Sequence, residues 1–238
     1  MNSYSFSQLT ESGGRSCNED YLLVCQKGGA LISVIADGLG GLGGGDIASS
    51  TAASATIDYL QGIQKCTEQD IINAIDTAGT AVIAKQNNLT EMKTTIALLY
   101  AEDGKAICGH LGDSRIYQFR KDDILFQTRD HSVSQMAVSV GEIMPDKIRF
   151  HADRNKLLRA LGTREKMPAE INELSINCGD GLLLCTDGFW ELISEDEMIR
   201  DFEKSKTADQ WLEEMRRKVE SRLNDKSDNY SAIAVMIN

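Results

Sequence analysis

Apolar and polar positions divide the chain into short strands and a few helices. Residues 3–10 alternate, Tyr4 and Phe6 against Ser3, Ser5 and Ser7, which predicts a half-buried strand ended by Glu11-Ser12-Gly13-Gly14. A polar stretch, Arg15-Ser16-Cys17-Asn18-Glu19-Asp20, leads into an apolar run over 21–25, and Lys27-Gly28-Gly29 turns the chain into a second run over 31–36. That run predicts a buried strand. Helical spacing follows: Asp46 is the expected cap of one helix, and residues 67–87 form another, with Thr67 as N-cap and Ile71, Ile75, Ala78 and Val82 at intervals of four, three and four. The two are expected to pair antiparallel over a sheet. From Thr94 the pattern becomes a meander of short strands at 94–101, 106–111, 114–119 and 124–128.

Residues 129–151 are less regular, with a short helix over 132–140 and a loop around Gly141, Pro145 and Asp146 that is expected to be mobile. Strand-like runs resume at 156–161 and 171–176. Leu182-Leu183-Leu184-Cys185-Thr186-Asp187-Gly188 is again an apolar run closed by Asp and Gly. Phe189-Trp190-Glu191-Leu192 starts a helix that 195–202 continues, and Thr207-Ala208-Asp209-Gln210 reads as a capping box ahead of Trp211, Met215, Val219 and Leu223. A closing strand, 231–237, carries Asp228 at its entrance.

The stretch 30–46 is the most informative: an apolar strand stops at Asp37, and a glycine loop interrupted only by Leu39 and Leu42 leads to Asp46. Gly38-Leu39-Gly40-Gly41-Leu42-Gly43 satisfies the G-x-G-x-x-G dinucleotide fingerprint. Two features oppose that assignment. Asp37 stands where its charge would repel a phosphate, and the acid expected about 20 residues on, after a second strand, is missing because Asp58 falls in a helical stretch. A carboxylate facing glycine carbonyls suits a hard cation.

The 238 residues and 42% hydrophobic content allow one domain over 1–238 with a sizeable core. A net charge of -11 and the lack of a Lys/Arg cluster speak against nucleic acid as partner. Neither a signal-like N-terminus nor a membrane-length apolar run is present, so a cytoplasmic location is expected. The six cysteines form no C-x-x-C pair and read as reduced, partly buried thiols, with Cys17, flanked by Arg15, Glu19 and Asp20, the one candidate for redox sensitivity. His110, His131 and His151 show no zinc-ligand spacing.

Asp37, Asp113, Asp187 and Asp228, with Glu19 and Asp20, all stand at strand ends beside Gly, Asn or a turn. A single such Asp is ordinary turn chemistry. Several at the aligned ends of apolar strands would repel one another unless cations neutralise them. An all-oxygen set favours Mg²⁺ or Mn²⁺ over zinc.

Arg15-x-x-Asn18-Glu19-Asp20, Asp37-Gly38-Leu39-Gly40-Gly41, Thr94-Thr95, Gly112-Asp113-Ser114-Arg115, Asp130-His131-Ser132, Leu157-Leu158-Arg159-Ala160-Leu161-Gly162, Thr186-Asp187-Gly188 and Asp228-Asn229 occur in one order. In that order the chain resembles the metal-dependent protein phosphatases of the 2C type over residues 15–237. The resemblance implies an α+β fold, a four-layer αββα sandwich in which two packed antiparallel sheets are flanked by antiparallel helix pairs. It implies that Asp37 bridges two Mn²⁺ or Mg²⁺ ions, that Gly38 offers its carbonyl to the second, and that Asp187 and Asp228 complete the first. Asp20 with Glu19 would hold the second ion directly or through water. Asp113 with Asp187 matches a third-ion position, and Arg15 would clamp the substrate phosphate. Hydrolysis of phosphoserine and phosphothreonine in proteins by water activated between two cations is the implied reaction.

Three departures are visible. Glu19 stands where many members have Gln, Leu39 replaces a histidine proposed as general acid in eukaryotic members, and residues 141–154 occupy the place of the family's variable flap. His131, in its D-H-S motif, reads as structural. The length and the 151–161 stretch look like stand-alone, monomeric bacterial phosphatases that oppose a Hanks-type kinase, including those attached to type VI secretion. The alternative is a catalytically silent member that binds phosphoproteins or acts as a sensor.

Overall fold

A computed structural model describes residues 3–39, 43–86 and 91–238. Among them ten strands build two antiparallel sheets. One has the order β1 (Tyr4–Glu11), β10 (Tyr230–Ile237), β9 (Asp180–Cys185), β6 (Arg115–Arg120), β7 (Asp123–Gln127). The other runs β2 (Asp20–Lys27), β3 (Ala30–Asp37), β4 (Ile96–Glu102), β5 (Lys105–Leu111), β8 (Glu170–Ser175).

The unbroken apolar run in β3 is explained by two neighbouring layers. Leu31 and Ile35 pack into the layer between the sheets with Leu99, Ile116, Leu184 and Ile233, while Ile32 and Val34 face α1 (Gly45–Gln61) and α2 (Glu68–Lys85). A strand covered on both faces needs apolar side chains at every step. Across the other sheet, Phe119 meets Phe202 of α5 (Glu195–Lys204) and Trp211 of α6 (Ala208–Glu220), the latter edge-to-face at 5.0 Å. The architecture is the expected four-layer αββα sandwich.

Several local expectations change. Asp46 does not cap α1; Gly44 is the N-cap, and Asp46 lies in the first turn. The stretch 156–161 is not a strand, since only isolated bridges form, Leu157 to Ser132 and Leu161 to Thr94. Residues 189–202 are not one helix: α4 (Asp187–Trp190) ends before α5, which has its own capping box from Ser194 and Glu197. At α6, Thr207 accepts the Gln210 N–H, but the Gln210 side chain turns to the Lys206 N–H, so the predicted box is half made. The reciprocal box forms at Thr67 and Asp70 instead. A short helix, α3 (Val133–Ser139), and a 3-10 turn at Pro145–Phe150 occupy the irregular region. The predicted end of α2 at Asn87 and the loop residues Gly40, Gly41 and Leu42 lie outside the described residues. Cys108 and Cys185 are buried, whereas Cys178 is exposed together with Cys17. Among the described residues no helix is long and apolar enough to cross a membrane.

Candidate metal centre

Strand register brings the acids together. Asp20 opens β2 and Asp37 closes β3, and the two are direct partners across that antiparallel pair. Thr94 and Thr95 fix the Asp37 main chain: its N–H donates to Thr95 Oγ1 at 2.9 Å, and its carbonyl accepts Thr95 N–H and Thr94 Oγ1, both at 2.8 Å. Gly38 follows with no room for a side chain, because a Cβ there would lie 2.2 Å from the Gly45 carbonyl oxygen and 2.6 Å from that of Glu19.

The other sheet supplies three acids at one end. Arg115 of β6 and Ala232 of β10 both pair with Cys185 of β9, which sets Asp113, Asp187 and Asp228 just beyond the same edge. Gly188 allows the chains to close here, since a Cβ would meet the Asn229 carbonyl oxygen at 2.1 Å. Behind Asp113, the Trp190 indole N–H donates to the Asp113 carbonyl at 3.0 Å and its ring carries the Arg115 guanidinium 3.5 Å above it. Arg115 is held by Asp130 through two 2.8 Å hydrogen bonds. Asn229 staples the Arg15 loop: its Oδ1 accepts the Glu19 N–H at 2.8 Å, and its Nδ2 donates to the carbonyls of Ser12 and Cys17, both at 2.9 Å.

The resulting cleft of about 430 Å³ is lined by Arg15, Glu19, Asp37, Gly38, Asp113, Asp187 and Asp228, with Cys17, Asn155 and Leu157 among its walls. Of the predicted site residues, only Asp20 stands behind the lining, buried under Asp37 with Oδ2 on the Thr186 hydroxyl at 2.9 Å. Arg15 reaches in and pairs with Asp228 at 2.9 Å.

Electrostatics explains what such a cleft accepts. Burial, then Asp20 and Asp187, hold the Asp37 carboxyl well above the usual range. Burial and Asp113 do the same for Asp187. Asp20 is pushed to about 7 by burial against the pull of the Ser231 and Thr186 hydroxyls, and Asp113 to about 8 by burial and Asp130. Burial also raises Glu19, with Asp46 and Asp228 adding to it. The buried Oδ1 atoms of Asp20 and Asp187 have no hydrogen-bond partner among the described residues. Crowded carboxylates with orphaned oxygens, and no nitrogen or sulfur among them, fit hard divalent cations. A phosphate on the helix start does not fit: the Glu19 carboxylate already stands against Gly45 at the head of α1, where a Cβ would lie 2.8 Å from its Oε1.

Sequence spacing missed one cluster. His110 and His131 stack with ring centroids 4.6 Å apart, and with Glu170 they place ligand-type atoms within 4.8 Å of one another. His131 Nδ1 accepts the Gly112 N–H at 3.2 Å, which occupies its lone pair, and the Arg159 guanidinium lies 3.5 Å from Nε2. A ring with one lone pair taken and its other nitrogen beside an arginine is a poor cation ligand. His131 instead braces Gly112, next to Asp113, through its ring and its main-chain N–H, which donates to the Gly112 carbonyl at 2.8 Å. Thr94, Thr95, Asn229 and Trp190 likewise support the acids, and their sequence signal was only membership in ordered motifs or apolar runs.

The family model for protein phosphatase 2C matches residues 11–227. Protein phosphatase PhpP of Streptococcus pneumoniae is 29% identical over 211 residues, which cover 82% of each chain. The serine/threonine phosphatase of S. agalactiae superposes with a TM-score of 0.87 at 21% identity, over 99% of this chain and 100% of that one. The catalytic domain of the phosphatase PstP, in complex with 2 manganese ions, gives 0.83 at 22% identity, over 100% and 99%. At those identities the structural likeness is one of fold.

Proposed function

We propose a function from one premise: this chain belongs to the protein phosphatase 2C family. It is a metal-dependent protein serine/threonine phosphatase, releasing phosphate from phosphoserine and phosphothreonine side chains. The observation that best supports its working here is the convergence of Asp37, Asp113, Asp187 and Asp228 from the ends of two sheets on one cleft beside Arg15, with Asp20 buried behind as the strand partner of Asp37.

Asp37 would be shared between two cations, with Asp187 and Asp228 on one side and Gly38 carbonyl, Glu19 and Asp20 on the other. Asp113 with Asp187 offers a third position. Either Mn²⁺ or Mg²⁺ suits this oxygen set. Bound there, divalent cations supply Lewis acidity, bringing the pKa of water toward neutrality and screening phosphoryl charge. The chain's own part is placement. Arg15 binds the phosphoryl oxygens, turning from Asp228 toward substrate, and the Thr94–Thr95 clamp keeps Asp37 in position. Water attacks phosphorus opposite the seryl or threonyl oxygen, and no side chain serves as nucleophile. Leu39 has no proton to give, so the leaving oxygen draws one from solvent or another group. A Ser/Thr kinase in the same cytoplasm is the expected source of the substrates, with the enzyme acting as a monomer.

Purified protein assayed on p-nitrophenyl phosphate and on a phosphothreonine peptide is expected to turn over both with Mn²⁺ and neither with excess EDTA. Turnover that survives chelation would overturn the mechanism; none under any metal would favour the silent, phosphoprotein-binding alternative. Arg15→Ala is expected to lower kcat/KM by about tenfold or more, the worth of a lost charge-assisted contact. The melting temperature should hardly move, because the Arg15–Asp228 pair is largely exposed, with side chains at 55% and 38%.

A further inference from the structure

The segment 141–154 is fastened by arginines more than by apolar burial. In its 3-10 turn Ile148 is buried, yet Phe150 is 75% exposed, and Met144 just before it 67%. Arg149 is the opposite, with its side chain only 11% exposed. Its Nη1 donates to the carbonyls of Trp190 at 3.0 Å and Ile193 at 2.8 Å, and its Nη2 pairs with Glu195 Oε2 at 2.5 Å. Arg154 adds a second tie, to Glu191 at 2.7 Å.

Both arginines land on one stretch, residues 190–195, which joins α4 to α5. That stretch has two further connections to the cleft. Asp187 opens α4. Glu195 also takes Arg115 Nη1 at 3.4 Å and the Tyr117 hydroxyl at 3.3 Å, and Arg115 rests on the Trp190 ring that holds the Asp113 carbonyl. On the other side, the segment continues directly into Asn155 and Leu157 of the cleft wall.

We propose that Arg149 is a positioning residue: with Glu195 it latches the segment 141–154 to the α4–α5 link, so that the wall bearing Asn155 and Leu157 stays in register with Asp113 and Asp187. A planar guanidinium suits this task because its fork meets two carbonyls and a carboxylate at once, which an ammonium on a flexible stem does less well. The kinetic consequence rests on the phosphatase reading; the structural one does not. A small ester reaches only the cleft floor, whereas a phosphopeptide also needs the wall.

Arg149→Met and Arg149→Lys, compared with the unmutated protein, test the latch. Loss of the fork should lower the ratio of phosphopeptide to p-nitrophenyl phosphate kcat/KM by about tenfold, chiefly through KM for the peptide, and Lys should restore part of it. Hydrogen exchange should quicken in both 141–157 and 187–195 in Arg149→Met while the strands stay protected. An equal fall on both substrates, tracking a loss of folded protein, would overturn the proposal. So would unchanged exchange in 187–195, and that result counts whether or not the unmutated protein hydrolyses either ester.

Discussion

Asp37→Asn should abolish metal-dependent turnover, by about three orders of magnitude or more, and at the same time raise the melting temperature of the metal-free protein. The two effects have one origin. Asp37 faces Asp20 across the β2–β3 pair and is held well above the usual carboxyl range by burial, with Asp20 and Asp187 adding to it. Its position depends on main-chain bonds to Thr94 and Thr95, which an isosteric amide leaves intact. Asparagine therefore removes charge without moving the backbone. With the metal stripped, one source of repulsion is gone, and the melting temperature rises. With metal supplied, the carboxylate that would be shared between two ions is replaced by a neutral amide, and about 4 kcal/mol of lost transition-state stabilisation is a thousandfold in rate. Turnover of a phosphothreonine peptide in Mn²⁺ and calorimetry in EDTA read the two arms. Retention of a tenth of the activity, or a lower melting temperature in EDTA, would count against the shared role.

The next largest effect is a pH dependence of stability that Mn²⁺ reverses. In EDTA, Asp20 is pushed to about 7 and Asp113 to about 8, with Asp37 and Asp187 raised as well. Between the ordinary carboxyl range near pH 4 and these values, the folded protein holds protons that the unfolded chain has released, so stability falls as pH rises. The stacked histidines act oppositely: burial lowers His110, and burial with His110 and Arg159 lowers His131 to about 3, so they favour the folded state as pH climbs toward 6.5. Above pH 6.5 the histidine contribution is complete and the carboxylate slope stands alone. Mn²⁺ needs the deprotonated acids, so its binding releases protons and its stabilisation grows over the same window. At 100 to 1,000 times Kd that stabilisation is about 3–4 kcal/mol, or roughly 6–16 °C. Melting curves from pH 6.5 to 8.5, with EDTA or MnCl₂, should therefore diverge; parallel curves would contradict the picture.

The acids were visible in the sequence because each closes or opens an apolar run beside Gly, Asn or a turn, a pattern contained within about ten residues. What orients them was not. Thr95 lies 58 positions from Asp37, and Asn229 lies 210 from Glu19, so their hydrogen bonds exist only through the sheet topology. The same holds for the histidine pair, whose members sit on separate elements and show no ligand spacing. Errors in the elements have local causes. The 156–161 stretch is apolar enough for a strand but pairs through two single bridges, and Asp46 lost the capping position because the head of α1 is packed against Glu19.

β10 lies between β1 and β9, and Asp228 stands two residues before it. During synthesis this interior strand is thus made after every other strand of its sheet, about 220 residues behind the end of β1. The first strand waits throughout for its partner, its end-to-end bonds running from Tyr4 against Ile237 to Glu11 against Tyr230. At about 5–20 residues per second, that wait is on the order of ten seconds or more. A chain that stops before Asp228 lacks part of the acid cluster, and one that stops before Tyr230 lacks the strand that anchors it, so a nascent chain is expected to stay silent until β10 docks.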